Sequence, residues 1–165
     1  MTQYTVSSTN SHHFCLALDK RILGELNYKK WYSFNADIVL ANNRKYNLES
    51  KGFWDTTIEL HDGLKTLLSF RMGWEGIIIE TFFGEEEQVF LLKLKGLFSN
   101  KFVLLNQDNE ELMVAETIFN WRKLNFNYNI ETPQNFDDSD KNSLLLLTVV
   151  HCINYYITII TAATA

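Results

Sequence analysis

Leu144-Leu145-Leu146-Leu147-Thr148-Val149-Val150-His151-Cys152-Ile153-Asn154-Tyr155-Tyr156-Ile157-Thr158-Ile159-Ile160, with a small-residue tail to Ala165, is the stretch on which the reading of the whole chain turns. No charged residue follows Lys141, so a single apolar helix comes last. About 20 apolar residues can span a bilayer. A helix that is apolar nearly all round also fits a site enclosed by protein. Thr148, His151, Asn154 and Thr158 interrupt the run and no basic anchor follows it, which favours the enclosed setting.

The residues that would enclose it lie upstream. Across residues 4–131 apolar residues recur with a period of two, most clearly in Leu124-Asn125-Phe126-Asn127-Tyr128-Asn129-Ile130-Glu131. That alternation belongs to half-buried strands. It predicts Leu124, Phe126, Tyr128 and Ile130 inward and the three asparagines outward. Similar alternation marks residues 45–49, 57–60, 66–70 and 92–95. Asn42-Asn43, Asp62-Gly63, Phe83-Gly84-Glu85, Ser99-Asn100 and Asp108-Asn109 supply tight turns between them. Units of about 10 residues give roughly a dozen strands in an antiparallel meander.

A closed barrel of that size has a lumen that its own side chains do not fill. A helix of about 22 residues, about 33 Å long, fits it. The expected fold is therefore mainly β with one helix: an antiparallel closed barrel of about 12 strands around a central hydrophobic C-terminal helix. One domain suffices, with strands over 4–131, a linker over 132–142 and the helix over 143–163. Pro133 opens the linker, and Asp140, Asn142 or Ser143 is available as N-cap.

The chain has 165 residues, of which 46% are hydrophobic and 14% aromatic, too apolar for disorder. A net charge of −5 argues against general nucleic-acid binding, which needs a concentrated basic surface. Cys15 and Cys152 lie far apart and read as reduced thiols. The first residues carry neither a basic start nor an apolar run, so the expectation is a cytoplasmic protein, at most peripheral to a membrane.

Phe102-Val103-Leu104-Leu105-Asn106-Gln107-Asp108-Asn109-Glu110-Glu111-Leu112 resembles a hairpin of the LURP-one-related proteins. Ile118-Phe119-Asn120-Trp121-Arg122-Lys123-Leu124-Asn125-Phe126-Asn127-Tyr128 is similar to their next strand, and the leucine-rich helix follows. From about Lys30 onward the order of elements looks like the tubby C-terminal-like superfamily, which includes tubby and the phospholipid scramblases. The resemblance implies a 12-stranded barrel threaded by its last helix. It implies a non-enzymatic binding or scaffold module for an anionic phospholipid or a protein partner. The alternative is a scramblase-like protein that engages lipid through the helix or the barrel surface.

Basic pairs at Lys20-Arg21, Lys29-Lys30, Arg44-Lys45 and Arg122-Lys123 are candidate anion contacts. Lys93 and Lys95 are the preferred lipid-binding candidates, because alternate strand residues project side by side. Tubby uses a basic pair of this general type. Asp137, Asp138 and Asp140 stand where scramblases are proposed to bind calcium, but the run is short for six or more oxygen ligands and reads as a capped helix start. His12, His13 and Cys15 point to alternate faces and do not converge on a metal. His151 reads as a satisfied core histidine. Trp31, Trp54, Trp74 and Trp121 are expected to pack the wall or close its ends, and Glu85-Glu86-Glu87 to form a solvated turn. No nucleophile elbow, phosphate-binding glycine loop or H-E-x-x-H motif occurs, and no cofactor or catalytic residue is expected.

Overall fold

The computed structural model describes residues 1–30, 33–51 and 56–165. Twelve strands follow one another: β1(Thr2–Asn10), β2(His13–Leu18), β3(Arg21–Tyr28), β4(Ala36–Leu40), β5(Lys45–Ser50), β6(Ile58–Asp62), β7(Lys65–Met72), β8(Ile77–Thr81), β9(Gln88–Leu94), β10(Lys101–Leu105), β11(Glu111–Asn120) and β12(Asn125–Thr132). Each pairs antiparallel with its neighbours in sequence, and β1 pairs with β12 to close the barrel, with Tyr4 opposite Ile130 and Val6 opposite Tyr128. Closure leaves no edge strand with unpaired backbone groups. The helix α1(Asp140–Thr164) runs through the barrel.

Alternation decides what lines the lumen. Tyr4 and Val6 on β1, Ile38 and Leu40 on β4, and Leu68 and Phe70 on β7 are buried, as are the corresponding pairs around the wall. They meet a helix whose residues 143–153 are all buried. Helix and lining thus remove each other's apolar surface from water, at about 25 cal/mol per Å². Neither surface has another partner of comparable size.

The helix is not centred. It packs nearest β3 and β4, where the wall offers the small residues Gly24 and Ala36. A Cβ at Gly24 would lie 3.0 Å from Leu147 Cδ1 and 3.1 Å from Leu40 Cδ2, so its absence sets how closely α1 approaches. The wall across from this contact is β8–β11, where space remains at one mouth.

Several details differ from the sequence reading. The helix begins at Asp140, three residues earlier than expected, and its N-cap is Ser139, whose hydroxyl accepts from the Asn142 N–H. Leu124 is not inward. It lies in the β11–β12 turn, 75% exposed, with φ of 49°. The alternation runs one residue too far because a turn leucine matches the strand pattern by chance. Phe126 is half-buried at the barrel end, whereas Tyr128 and Ile130 are fully inward.

Asn127 also does more than face solvent. Its Oδ1 accepts from the Ser8 N–H at 2.9 Å and the Ser8 hydroxyl at 3.0 Å, closing the β1–β12 seam next to a bulge in the β1–β2 ladder. Ser8 is buried. Asn127→Ala should therefore cost about 1–2 kcal/mol, by leaving buried donors unpaired, and urea denaturation measures it. A loss no larger than that of Asn129→Ala, an exposed position on the same strand, would show that the seam contact contributes nothing.

Candidate functional site

Because every connection is a hairpin, turns alternate between the two barrel ends. The β2–β3, β4–β5, β6–β7, β8–β9 and β10–β11 turns lie at the end where α1 starts, and the other connections where it emerges. The two ends differ chemically. By sequence, the connections at the emerging end carry six Lys or Arg and two carboxylates. Those at the starting end, with the linker, carry eight carboxylates and only Lys20 and Arg44 as cations. The net acidity thus hides a dipole, with one basic end.

The basic end is also where large apolar side chains stand in solvent. Trp74 in the β7–β8 turn, Leu97 and Phe98 in the β9–β10 turn, and Trp121 and Leu124 in the β11–β12 turn are all strongly exposed. Ile159 and Ile160 add to them from α1, whose residues 158–164 project beyond the barrel by about 10 Å. At the other end Leu64 is the exposed turn residue of this kind among the described residues. Trp74 and Trp121 therefore neither pack the wall nor close an end as expected, because their turns carry them past it into solvent. Trp31 and Trp54 lie outside the described residues.

Leu124 is doubly unfavourable where it stands. A left-handed backbone costs a non-glycine residue roughly 1–2 kcal/mol, and Gly or Asn commonly fills such turns. Here a leucine holds the position and exposes its side chain.

Lys93 and Lys95 are carried on the outer wall at the end of β9, beside the Leu97 and Phe98 turn. Lys95 donates to both carboxylate oxygens of Glu111, at 3.0 and 2.9 Å. Lys93 is half-buried and forms no ion pair with a described residue. Arg71, Lys101 and Arg122 are exposed near the same end and are likewise without ion pairs among the described residues. Sequence reading had no means of grouping these cations, because they come from four different strands or turns. Lys29 and Lys45 flank Asp37, whose carboxyl is penalised by burial but held below its ordinary range by those two ammonium groups.

The aspartates before α1 act as fasteners. Asp138 pairs with Arg21 of the β2–β3 hairpin, and Asp140 accepts from Asn42 of the β4–β5 turn at 2.7 Å. Asp137 accepts from the Ser139 and Asn142 groups, and the Ser139 contacts draw its carboxyl below the usual range. Each oxygen set thus serves the helix start. Among the described residues no group of three or more His, Cys, Asp or Glu converges as a metal site. His13 pairs with Glu25 at 3.1 Å, while Cys15 and Cys152 are free thiols.

His151 ends a buried polar chain. Tyr128 donates to Asn154 Oδ1, Asn154 Nδ2 donates to the Tyr28 hydroxyl at 3.1 Å, and Tyr28 lies 2.7 Å from His151 Nδ1. With Tyr28 donating to Nδ1, each hydroxyl has one donor role and the proton of His151 resides on Nε2. Nε2 has no partner among the described residues, so this histidine is only half satisfied. The rings of Tyr28, Phe34 and Phe70 surround it. Burial therefore holds it neutral, with its pKa pushed down to about 3. A cavity of about 240 Å³ reaches Tyr28 and Asn154 from the basic end.

These features define a class of protein, a helix-filled up-and-down barrel with one basic, apolar-tipped end. Compared with known proteins, the chain matches no family model, no curated protein and no solved structure.

Proposed function

We propose that the protein is a non-enzymatic, tubby-like binding module that docks on an anionic phospholipid surface by the barrel end where α1 emerges. The observation that carries this reading is the coincidence, at one end, of exposed Trp74, Phe98, Trp121 and Leu124 with the basic connections. Tryptophan favours the headgroup level of a bilayer, where its ring is buried and its N–H stays solvated. Each cation near such a surface adds about 1 kcal/mol. Leu97, Phe98 and the two isoleucines of α1 would enter the acyl boundary. The helix therefore serves the core along most of its length and lipid at its tip, and Lys93 and Lys95 would flank the contact. The resemblance to tubby-like proteins and scramblases agrees with this use.

Vesicle sedimentation tests it. The full chain should bind vesicles containing phosphatidylserine, bind phosphatidylcholine vesicles less, and release as salt rises, since surface charges are screened over about 8–10 Å near physiological ionic strength. Trp74→Ala with Trp121→Ala should weaken binding about 10-fold or more, for a loss of about 1.4 kcal/mol or more. Lys93→Glu with Lys95→Glu should also weaken it without lowering Tm appreciably, as should Lys101→Glu with Arg122→Glu. Failure of the parent chain to bind any anionic vesicle would move the reading to a protein partner.

A stability measurement complements this. Leu124→Asn should stabilise the fold by about 0.5–1 kcal/mol, by relieving the left-handed leucine, while reducing vesicle binding. A variant that is stabilised and binds undiminished would remove Leu124 from the contact.

A further inference from the structure

The outer wall of the barrel is polar on some strands and apolar on others. On β1, β5 and β12 the outward positions hold residues such as Thr5, Ser7, Asn47, Glu49, Asn127 and Asn129. On β8, β9 and β10 they hold Ile78, Val89, Leu91, Val103 and Leu105. Cross-strand register joins these into one patch: Ile78 stands opposite Leu91, Leu91 opposite Leu105, and Val103 opposite Val114 of β11. Val103 and Leu105 are 5% and 9% exposed, whereas Ile78, Val89 and Leu91 are half-buried around a shallow recess of about 320 Å³. The runs Ile77-Ile78-Ile79, Val89-Phe90-Leu91-Leu92 and Phe102-Val103-Leu104-Leu105 are thus those of strands covered on both faces. The lumen accounts for one face only.

The charges bordering the patch indicate what covers the other. Toward the end where α1 emerges stand Lys93, opposite Val103, and Lys101, two residues before Val103 on the same face of β10. Toward the end where α1 starts stand Glu80, opposite Val89, then Glu87, and Asp108, which lines a recess with Val89. Lys93, Lys101, Glu87 and Asp108 form no ion pair with a described residue. An apolar middle therefore separates a cationic border from an anionic one. Such a surface matches itself when a second copy is turned end for end, about a two-fold axis perpendicular to the wall. Lys93 and Lys101 of each copy then meet Glu87 and Asp108 of the other, twice over, while the apolar middles face each other. Pairing with like ends together would oppose like charges.

We infer that the protein forms a homodimer through the outer face of β8–β10, with its two barrels antiparallel. An anionic bilayer does not suit this face, because it would meet Glu80, Glu87 and Asp108. The inference does not rest on lipid docking, which uses the barrel end.

Analytical ultracentrifugation of the full chain without lipid tests it. Across the micromolar range the chain should show a concentration-dependent equilibrium between monomer and dimer. Leu91→Gln, at the centre of the patch, should weaken the dimer about 10-fold or more. Glu87→Lys with Asp108→Lys, in exposed turns, should give monomer alone, as should Lys93→Glu with Lys101→Glu, each with Tm little changed. Mixed in equal amounts, these two charge variants should restore the dimer, because every contact between them again pairs opposite signs. The proposal is overturned if the parent chain stays monomeric throughout, if folded Leu91→Gln or either charge variant dimerises as well as the parent, or if the mixture stays monomeric.

Discussion

Val150→Asp should leave the chain unfolded in water, with denaturant titration finding no cooperative transition. Val150 is fully buried in the middle of α1, within the apolar core that helix and barrel share. A carboxylate there has no cation within the apolar lining, and an isolated buried charge costs many kcal/mol or forces protonation, which still leaves a polar group unpaired. Whole-domain stabilities of about 5–15 kcal/mol do not absorb that. Removal of residues 144–165 should act in the same direction, because an emptied barrel exposes its lining. A soluble, fully β-structured product would show that the helix is not the filler on which the barrel depends. Val150→Ile separates charge from shape, since overpacking costs about 1–3 kcal/mol and should leave a cooperative fold.

Acid should destabilise the protein well above the carboxylate range, and His151 gives the reason. In the folded state its pKa is about 3, against 6.5 in an open chain, through burial among aromatic rings. Above pH 6.5 neither state holds the proton, so the histidine is neutral in the balance. Between 6.5 and 3 only the unfolded chain takes it up, so stability falls as pH falls, by about 1.4 kcal/mol per unit and about 5 kcal/mol over the whole window. Asp37 and Asp137, held below their ordinary range, add to the loss only at lower pH. Urea unfolding at pH 7.5 and at about pH 4.5 should therefore differ by roughly 3 kcal/mol. His151→Gln supplies an acceptor for Tyr28 without a titrating ring, and should flatten the slope in this window. Identical slopes for the two proteins would mean that protonation of His151 does not drive the acid loss.

The barrel was readable because strand alternation and turn residues are local. Thr57-Ile58-Glu59-Leu60 and Lys45-Tyr46-Asn47-Leu48-Glu49 carry their period of two regardless of what they pair with, and both are strands. Leu124 shows the limit of that signal, since a turn residue can continue the pattern while the backbone has left the sheet. His151 shows another. Its helical position is plain, but whether its second nitrogen meets a partner depends on Tyr28, 123 residues away, and on Phe34 and Phe70.

The candidate surfaces were less legible. Lys93 and Lys95 could be picked out as neighbours on one strand, but Glu111, which neutralises Lys95, comes from another hairpin. The exposed tryptophans read as packing the wall or closing its ends, because aromatic residues are usually buried and sequence alone does not say which turns lie past the wall. The element count, the antiparallel meander and an apolar helix long enough to fill or to span all follow from local patterns in the chain. The polarity of the barrel is set by the fold. Charges that look evenly mixed along the chain separate into a basic end and an acidic end once every second turn is carried to the same side. The eccentric seat of α1 against Gly24 and Ala36 belongs to the same level, since it arises where residues far apart in sequence must share one lumen.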